Sequence, residues 1–368
     1  MHKILQKFRW LLLFVCVVAG VFRYDVYAQQ PEKSFWVEYI DVGQGDCALI
    51  QCDGYYMMID GGPSSASQIV YSVLKNNNIK SLEYIIATHP DADHIGGLSG
   101  ALNAAKVGVC YSPVTTHDTK TFNSMVKYLN KQGVALSVPK QRTNFSLGSA
   151  MVDIVGPVYY SSDSNNNSIV TKITYGNNTF LFTGDAEIEE EDDIMRSGVS
   201  LLCDVLKVGH HGSNSSTSND FLRAVKPTYA VISVGKDNSY GHPTSTILGR
   251  LQNANVTVYR TDVQGDIICE SDGKNITFKT GRNAKSDSLW VGGDKVNEPQ
   301  VSYTNEANTS VSSDVAGSSY VLNTRSKKFH YPTCSSVDEM SLKNRQDVTM
   351  YRDEIIALGF EPCKRCKP

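Results

Sequence analysis

The sequence predicts an α/β protein in which two β-sheets pack face to face between outer helices, followed by a small α+β module. From Ser34 to about Thr280, short β-rich runs alternate with helical stretches in two groups of hairpins, an order typical of such layered folds. Ser, Asn, Asp and Gly then dominate residues 281–318 without an apolar period, which predicts a flexible linker. Regular patterns resume over residues 319–368.

The first 30 residues predict a signal peptide. A basic start containing Lys3, Lys7 and Arg9 precedes an apolar run of 13 residues, and Val26 and Ala28 place small residues at a cleavage site. A permanent transmembrane helix needs about 20 apolar residues, so this run is short for one. We therefore expect a secreted protein, with an uncleaved membrane anchor as the alternative.

Composition permits two domains and gives no overall attraction to a polyanion. The chain has 368 residues, 41% hydrophobic content and a net charge of −3. Any nucleic-acid substrate would therefore be attracted by local charge or by bound metal ions.

The elements of the main domain follow from residue pattern and turn signals. The predicted strands are Phe35–Asp41, Ala48–Gln51, Tyr55–Ile59, Glu83–Thr88, Val152–Val155, Ile169–Tyr175, Phe180–Thr183, Val205–Val208 and Tyr229–Val234. The predicted helices are Gln68–Leu74, Glu187–Arg196, Asn219–Val225 and Ser245–Gln252.

Four potential metal ligands follow the strand that ends at Thr88. They are His89, Asp91, Asp93 and His94. This spacing on a tight turn predicts that the first two point one way and the last two another, so that imidazole and carboxylate groups serve two metal ions. Aspartates that merely cap a helix would explain one of these residues but not all four.

Three other strand ends carry similar groups. Asp185 ends an apolar strand and suits a bridge between two cations, His210 and His211 end another strand, and His242 follows a third. Each has a plain explanation by itself, as a helix cap or a turn residue. Together they predict one site to which distant strands contribute.

Residues 35–280 resemble the metallo-β-lactamase superfamily, and most closely the hydrolase domain of ComEC-type DNA-uptake proteins. The matching strings are Asp41–Asp46, Ile59–Gly62, His89–Gly97, Phe182–Asp185 and Lys207–Ser213. The resemblance implies an αββα sandwich with a metal site at the sheet edges.

The sequence departs from the superfamily pattern at two points. Asp91 stands where most members have a second histidine, and Asn165, Asn166 and Asn167 occupy a stretch where another histidine ligand is expected. Oxygen ligands in place of nitrogen shift the preference from zinc toward manganese or magnesium.

The resemblance implies metal-assisted hydrolysis by two divalent ions, zinc or manganese. Asp93 is also a candidate for orienting water, and His210 or His211 is either a ligand or a proton donor. Lys207 and Ser213 are weaker candidates for phosphate contact, and Asp60 is predicted to support the ligands from behind. The predicted metal ligands are His89, Asp91, Asp93, His94, Asp185, His211 and His242.

The C-terminal module carries His330 and Cys334 as one close pair and Cys363 and Cys366 as another, separated by 28 residues. Two such pairs are typical of a structural zinc site, although a disulfide is the alternative in an oxidising exterior. The segment resembles the metal-binding domain of the Ada DNA-repair protein, with His330 in place of its reactive cysteine. This implies a structural or DNA-tethering role and no methyl acceptance.

We therefore predict a secreted metal-dependent phosphodiesterase that acts on DNA or another nucleic acid. Hydrolysis of a small ester, thioester or lactam is the alternative, because the same fold serves many substrates. A non-catalytic binding protein is the third hypothesis, and the retained ligand set argues against it. No run of membrane-spanning segments accompanies the hydrolase, so we expect no permanent membrane channel. The sequence leaves the oligomeric state open.

Overall fold

The computed structural model describes residues 34–293, 318–332, 334–338, 340–350, 355 and 359–366. The chain divides into two compact units, residues 1–299 and 300–368. The predicted signal peptide lies outside the described residues. Within the described ranges, no helix is both long and apolar enough to cross a membrane.

The first unit contains fifteen strands among its described residues. They are β1 (Phe35–Tyr39), β2 (Ala48–Cys52), β3 (Tyr55–Ile59), β4 (Ser81–Ile86), β5 (Lys106–Tyr111), β6 (Leu136–Ser137), β7 (Asn144–Leu147), β8 (Ala150–Ile154), β9 (Thr171–Tyr175), β10 (Asn178–Phe182), β11 (Val205–Lys207), β12 (Tyr229–Ile232), β13 (Thr257–Arg260), β14 (Ile267–Ser271) and β15 (Ile276–Thr280).

These strands form two mixed sheets. One has eight strands in the order β15-β14-β1-β2-β3-β4-β5-β6, and the other has seven in the order β13-β12-β11-β10-β9-β8-β7. Pairing is parallel from β3 to β6 and again from β10 to β13. Loops that follow neighbouring parallel strands emerge at one sheet edge, which is where ligand sites form in such sheets.

Eight α-helices accompany the sheets in the described part of this unit. They are α1 (Ser67–Asn76), α2 (Ala92–Ile95), α3 (Leu98–Ala104), α4 (Lys120–Gln132), α5 (Ile188–Arg196), α6 (Asn219–Val225), α7 (Ser245–Asn253) and α8 (Thr261–Gln264). Helices α1, α3 and α4 bury their apolar faces on the first sheet, and α5, α6 and α7 do so on the second. Since the central apolar cluster joins both sheets, the layers run helix, sheet, sheet, helix as the sequence predicts.

Aromatic contacts across the central layer show why the two sheets stay together. The rings of Phe35 and Phe180 lie 4.7 Å apart, and those of Tyr39 and Phe182 lie 5.8 Å apart. All four residues belong to one buried cluster to which both sheets contribute. A buried aromatic ring removes much apolar area from water, so these pairs contribute strongly to sheet packing.

The predicted linker starts too early, because residues 281–293 pack on the first unit. The Arg260 guanidinium, nearly buried at the end of β13, donates hydrogen bonds to the carbonyls of Leu289 (3.1 Å) and Val291 (2.6 Å). Trp290 packs against the apolar cluster beneath α5–α7. Polar composition suggested a linker here, but this cation satisfies two backbone carbonyls, and the amides of Gly281 and Gly293 donate to the carbonyls of Asp266 and Pro243.

The second unit is a small α+β module. Its described elements are β16 (Ser318–Asn323), β17 (Lys328–His330), α9 (Ser335–Asp338), β18 (Arg345–Met350) and β19 (Glu361–Pro362). The four strands form one sheet in the order β18-β16-β17-β19. Among its described residues, the larger apolar cluster contains five buried side chains.

Candidate metal centre

Donor groups from both sheets meet at one edge of the first unit. His89 follows β4, Asp185 follows β10, and His211 lies in the 3₁₀ segment Gly209–Gly212 that follows β11. All three residues are buried, and so is His94. Parallel strand ends thus bring together residues that are distant in sequence.

Four overlapping sets of donors lie among the described residues of this unit, and the ligand atoms of each set are within 4.8 Å of one another. Two sets include the buried carboxylates behind the histidines: Asp46 with Asp185 and His211, and Asp46 with Asp60 and His94. The other two, here called the donor groups, are His89 with His94 and Asp185, and Asp93 with His94 and His211. Asp185 Oδ2 lies 3.2 Å from His94 Nε2 and 3.5 Å from His211 Nε2. Asp185 therefore lies between the groups, where a bridge was predicted. The predicted division of the motif is wrong, since His94 belongs to both groups.

The unsatisfied atoms of the cluster fit a divalent cation. The Nε2 atoms of His89, His94 and His211 and Oδ1 of Asp185 are buried, and no described residue gives them a hydrogen-bond partner. A buried polar atom without a partner costs free energy, so such a set requires a ligand. Imidazole nitrogens and carboxylate oxygens are the donors that zinc and manganese accept.

Buried hydrogen bonds hold His94 in place from behind. Its Nδ1 donates to Asp60 Oδ2 over 2.8 Å, while Thr88 donates to the same carboxylate from its amide (2.8 Å) and its hydroxyl (2.7 Å). With Nδ1 carrying the proton, the Nε2 lone pair faces the cluster. Asp60 thus takes the supporting position that the sequence predicts.

His211 is oriented by Asp46, a residue that sequence reasoning did not single out. The Nδ1 atom of His211 lies 2.9 Å from the Ser233 carbonyl and 3.1 Å from Asp46 Oδ1. The Lys207 ammonium contacts the other oxygen of Asp46. Asp46 ends the Gly43–Asp46 turn that carried part of the family resemblance, and that was its only signal in the sequence.

The placement of Lys207 corrects its predicted phosphate contact. Lys207 is buried in the middle strand of three parallel strands, and its ammonium pairs with the buried Asp46 carboxylate. Since that charge is already matched inside the protein, Lys207 acts by holding Asp46. Ser213 is also buried and shares a 2.9 Å hydrogen bond with the hydroxyl of Ser215.

His210 lies beside the cluster and is partly open to solvent. Its Nε2 is 3.7 Å from Asp185 Oδ2, and its Nδ1 is 3.2 Å from Glu187 Oε1. The hydroxyl of Ser215 donates to the same Glu187 oxygen over 2.8 Å. Glu187 was predicted only as the start of a helix. The structure shows that it orients the His210 ring.

The charges of the cluster balance only when protons or a cation offset its carboxylates. Burial lowers the pKa of His89 to about 3, so its imidazole is neutral. Burial opposes the charge of His211 too, but Asp185 and Asp46 outweigh it and raise the pKa of His211 to about 10. Burial disfavours the Asp93 carboxylate, yet the neighbouring His211 and His94 side chains outweigh it and lower its pKa to about 2. An ion and these protons therefore compete for the same atoms.

The comparison with protein families agrees with this geometry. The family model described as "Metallo-beta-lactamase superfamily" matches residues 40–236, which are more than half of the chain. The chain belongs to this superfamily. The αββα metallo-β-lactamase sandwich predicted from the sequence is confirmed.

Curated relatives align with the metallo-β-lactamase domain. ComE operon protein 3 of Bacillus subtilis (strain 168) is 31% identical over 250 residues, which are 63% of this chain and 32% of that protein. Competence protein ComA of Neisseria gonorrhoeae is 29% identical over 255 residues, which are 68% of this chain and 34% of that protein. The chain thus spans about a third of the length of these relatives. The ComEC-type resemblance of the domain is confirmed.

A comparison with solved structures matches this chain at low identity. The metallo-beta-lactamase fold protein YhfI from Bacillus subtilis has a TM-score of 0.44 and 12% identity, covering 65% of this chain and 100% of that chain.

Two predicted ligands lie at the margin of the metallo-β-lactamase site. Asp91 is in neither donor group. Its side chain is 42% exposed, its Oδ2 lies 3.9 Å from His89 Nε2, and its Oδ1 accepts a hydrogen bond from Ser164. His242 is also outside both groups, and its ring packs edge-on against His210 at 5.6 Å. The loop after β12 thus places His242 next to His210, and its role as a ligand stays a prediction.

Ser168 lies close to His89, near the stretch where the superfamily pattern would supply another histidine. Its hydroxyl is 3.4 Å from His89 Nδ1 and accepts a 3.1 Å hydrogen bond from the Asp185 amide. The asparagines before it hold the loop: Asn167 bonds to the backbone of Ser161 and Asp163. This side of the site is therefore built from hydroxyl and amide groups that orient the ligands.

Close backbone contacts fix the motif turn against the end of β3. A Cβ added to Gly97 would lie 1.9 Å from the Gly61 carbonyl oxygen, and the Gly97 amide donates to the Gly62 carbonyl over 2.8 Å. Only glycine permits this approach.

Outside the metallo-β-lactamase domain, the second unit has its own donor cluster. His330, Cys334, Cys363 and Cys366 bring their ligand atoms within 4.8 Å of one another. The three thiols are free rather than joined as a disulfide. Burial opposes the Cys363 thiolate, but the backbone amides of Cys366 and Arg365 outweigh it and lower its pKa. Three sulfurs and one imidazole are a set that could hold zinc.

Proposed function

We propose that this chain is a metal-dependent phosphodiesterase that cleaves DNA. The observation that carries the proposal is the pair of donor groups that overlap at His94 and meet at Asp185. Hydrolysis of a phosphodiester changes the charge on an attacking and a leaving oxygen, which two adjacent cation positions suit. The competence proteins among its relatives support DNA as the substrate.

Two divalent ions would be held by His89, His94, Asp93, His211 and the shared Asp185. Bound there, they would supply Lewis acidity to a phosphoryl oxygen and acidify water. The protein itself would do two things. Asp60 and Asp46 would keep the Nε2 atoms of His94 and His211 aimed at the site. His210, oriented by Glu187, would transfer a proton at its Nε2.

Cleavage of DNA by the purified chain tests this proposal. With manganese or zinc added, we expect cleavage that Asp93→Ala abolishes while the fold is retained. Asp153→Ala on β8, outside both donor groups, is the matched control and should keep full activity. If the protein hydrolyses lactams or thioesters and leaves DNA intact, the phosphodiesterase proposal is wrong and the small-ester alternative stands.

We also propose that the second unit binds zinc and contacts DNA in the manner of the Ada-like domain it resembles. Residues 319–368 contain nine Lys and Arg against six Asp and Glu, a net charge of +3 before any metal. Phosphate attraction of this kind weakens as salt rises. Removing these residues should therefore weaken DNA binding, reduce its salt dependence and leave hydrolysis intact. Equal affinity and equal salt dependence would contradict the tethering role.

Export is the remaining part of the proposal. The basic start and the short apolar run support removal of residues 1–28, so the mature protein would begin at Gln29. N-terminal sequencing of the protein from its native host checks this. A protein that stays in the membrane with residues 1–28 attached would establish the anchor instead.

A further inference from the structure

A row of aromatic rings leads from the donor cluster to solvent. His210, which lies 3.7 Å from Asp185, packs against His242 with ring centroids 5.6 Å apart. His242 in turn stacks on Tyr240 at 5.8 Å with an interplanar angle of 24°. Tyr240 ends the row and is 68% exposed. A large aromatic side chain is thus held open to solvent two rings away from His210.

The loop that presents Tyr240 is rigidly bonded. The Asn238 amide group donates to the carbonyls of Gly235 (2.9 Å) and His242 (2.6 Å) and accepts from the amides of Tyr240 and His242, both at 3.1 Å. Gly293 packs on the far side of the loop, where its amide donates to the Pro243 carbonyl. The ring is therefore preorganised, which reduces the entropy cost of binding a flat partner.

Two further exposed rings lie on another loop that ends at the site. Tyr159 is 70% exposed and Tyr160 is 78% exposed. The loop that carries them reaches Ser164, whose hydroxyl bonds to Asp91. Exposed aromatic rings therefore occur on two separate loops that border the donor cluster.

Neither loop carries a net positive charge. Residues 156–164 contain no Lys or Arg, and in residues 235–243 Lys236 is offset by Asp237. Lys207 is buried against Asp46. Contacts to phosphate by side chains of these loops would be few, whereas ring faces are available. Stacking on aromatic rings is the sequence-tolerant way to hold unpaired bases.

We infer that Tyr240, with Tyr159 and Tyr160, forms a stacking platform for nucleobases, so that the chain takes single-stranded nucleic acid as its substrate. This inference rests on the proposed function, since it names the strand state of that substrate. In a duplex each base is covered by its neighbours, and only an unpaired strand or end offers free base faces to these rings.

Binding without catalysis tests the platform. A single-stranded oligonucleotide containing 2-aminopurine is titrated with the full chain carrying Asp93→Ala, whose cleavage the proposed function expects to be abolished, and fluorescence quenching reports stacking. We expect Tyr240→Ala to weaken binding about 5- to 150-fold and Tyr240→Phe to stay within about threefold of the unchanged protein. Tyr55→Ala, a half-exposed tyrosine at the start of β3, is the matched control and should have no effect.

Three outcomes overturn the inference. They are no binding of the single strand, equal binding by Tyr240→Ala, or the same loss for Tyr240→Phe as for Tyr240→Ala, which would assign the effect to the hydroxyl group. The proposed function is separable. If the protein cleaves DNA but Tyr240→Ala binds the single strand as tightly as the unchanged protein, the stacking inference is wrong and the phosphodiesterase proposal stands. If Tyr240 governs binding but no DNA is cleaved, the platform stands and the hydrolytic proposal fails.

Discussion

Replacing Asp60 by asparagine measures what the buried network behind the histidines contributes to ion binding. Asp60 accepts three hydrogen bonds, two from Thr88 and one from His94. Asparagine has the same size and tolerates the left-handed backbone that Asp60 adopts at φ 56°. Its amide nitrogen, however, can only donate. At least one of the three donors therefore loses its acceptor.

The geometry sets the expected magnitude. Two donors share Oδ2, while the Thr88 amide alone bonds to Oδ1. The asparagine will therefore turn its nitrogen toward the Thr88 amide and keep the His94 bond. Loss of such outer partners costs about 10–100-fold in metal affinity, and with the His94 bond retained we expect about tenfold, or ~1.4 kcal/mol.

Calorimetric titration of the metal-free protein with manganese or zinc is the assay. Asp204→Asn is the matched control, because Asp204 accepts from the amide (2.8 Å) and hydroxyl (3.3 Å) of Thr179 without contacting a histidine. If Asp60→Asn binds the ion within twofold of the unchanged protein, or if Asp204→Asn loses as much, the network does not orient the ligand.

Three further predictions concern stability. Burial raises the pKa of Glu190 well above its usual 4.5, so the folded protein loses stability as the pH rises above that value. In thermal unfolding, Glu190→Gln should therefore raise the melting temperature more at pH 8 than at pH 5. An equal rise at both pH values would contradict this. Gly97→Ala should cost about 1–3 kcal/mol in denaturant unfolding, whereas Gly249→Ala in α7, with open space around it, should not destabilise. Cys363→Ser, which leaves the donor groups of the first unit intact, should speed amide hydrogen exchange across residues 318–366 while residues 34–293 stay protected, and unchanged exchange in 318–366 would rule out a structural ion there.

The sequence could predict that these donors lie close together, because neighbouring parallel strands end at the same edge of a sheet. Apolar runs ending in His89, Asp185 and His211 are readable from the sequence, and parallel pairing brings such ends to one edge. The four C-terminal donor residues were readable from spacing. Strands β4, β10 and β11, which precede His89, Asp185 and His211, were predicted in type with boundaries shifted by a few residues. Helix α2, which carries His94, was not predicted.

The partners of these ligands could not be read in the same way. Asp46 and Lys207 meet only through the register of two different sheets, so each looks like an ordinary polar residue in the sequence. Glu187 orients His210 because the turn before α5 faces the left-handed turn at His210, whose φ is 46°. Residues 281–293 resembled a linker because their composition is polar, and the groups that fix their backbone, such as the buried Arg260 guanidinium and the Pro243 carbonyl, belong to other parts of the chain. Such pairings depend on tertiary contacts that residue patterns do not encode.

Each donor group takes residues from both halves of the sandwich. His89 and His94 come from the first sheet, and Asp185 and His211 come from the second. An ion bound by residues of both halves would link the two sheets at one edge of their interface. Its binding free energy would then stabilise the packed sandwich against separation of the sheets. Neither of these two donor groups is complete in one half alone. These groups would therefore bind an ion only after the two halves have packed against each other.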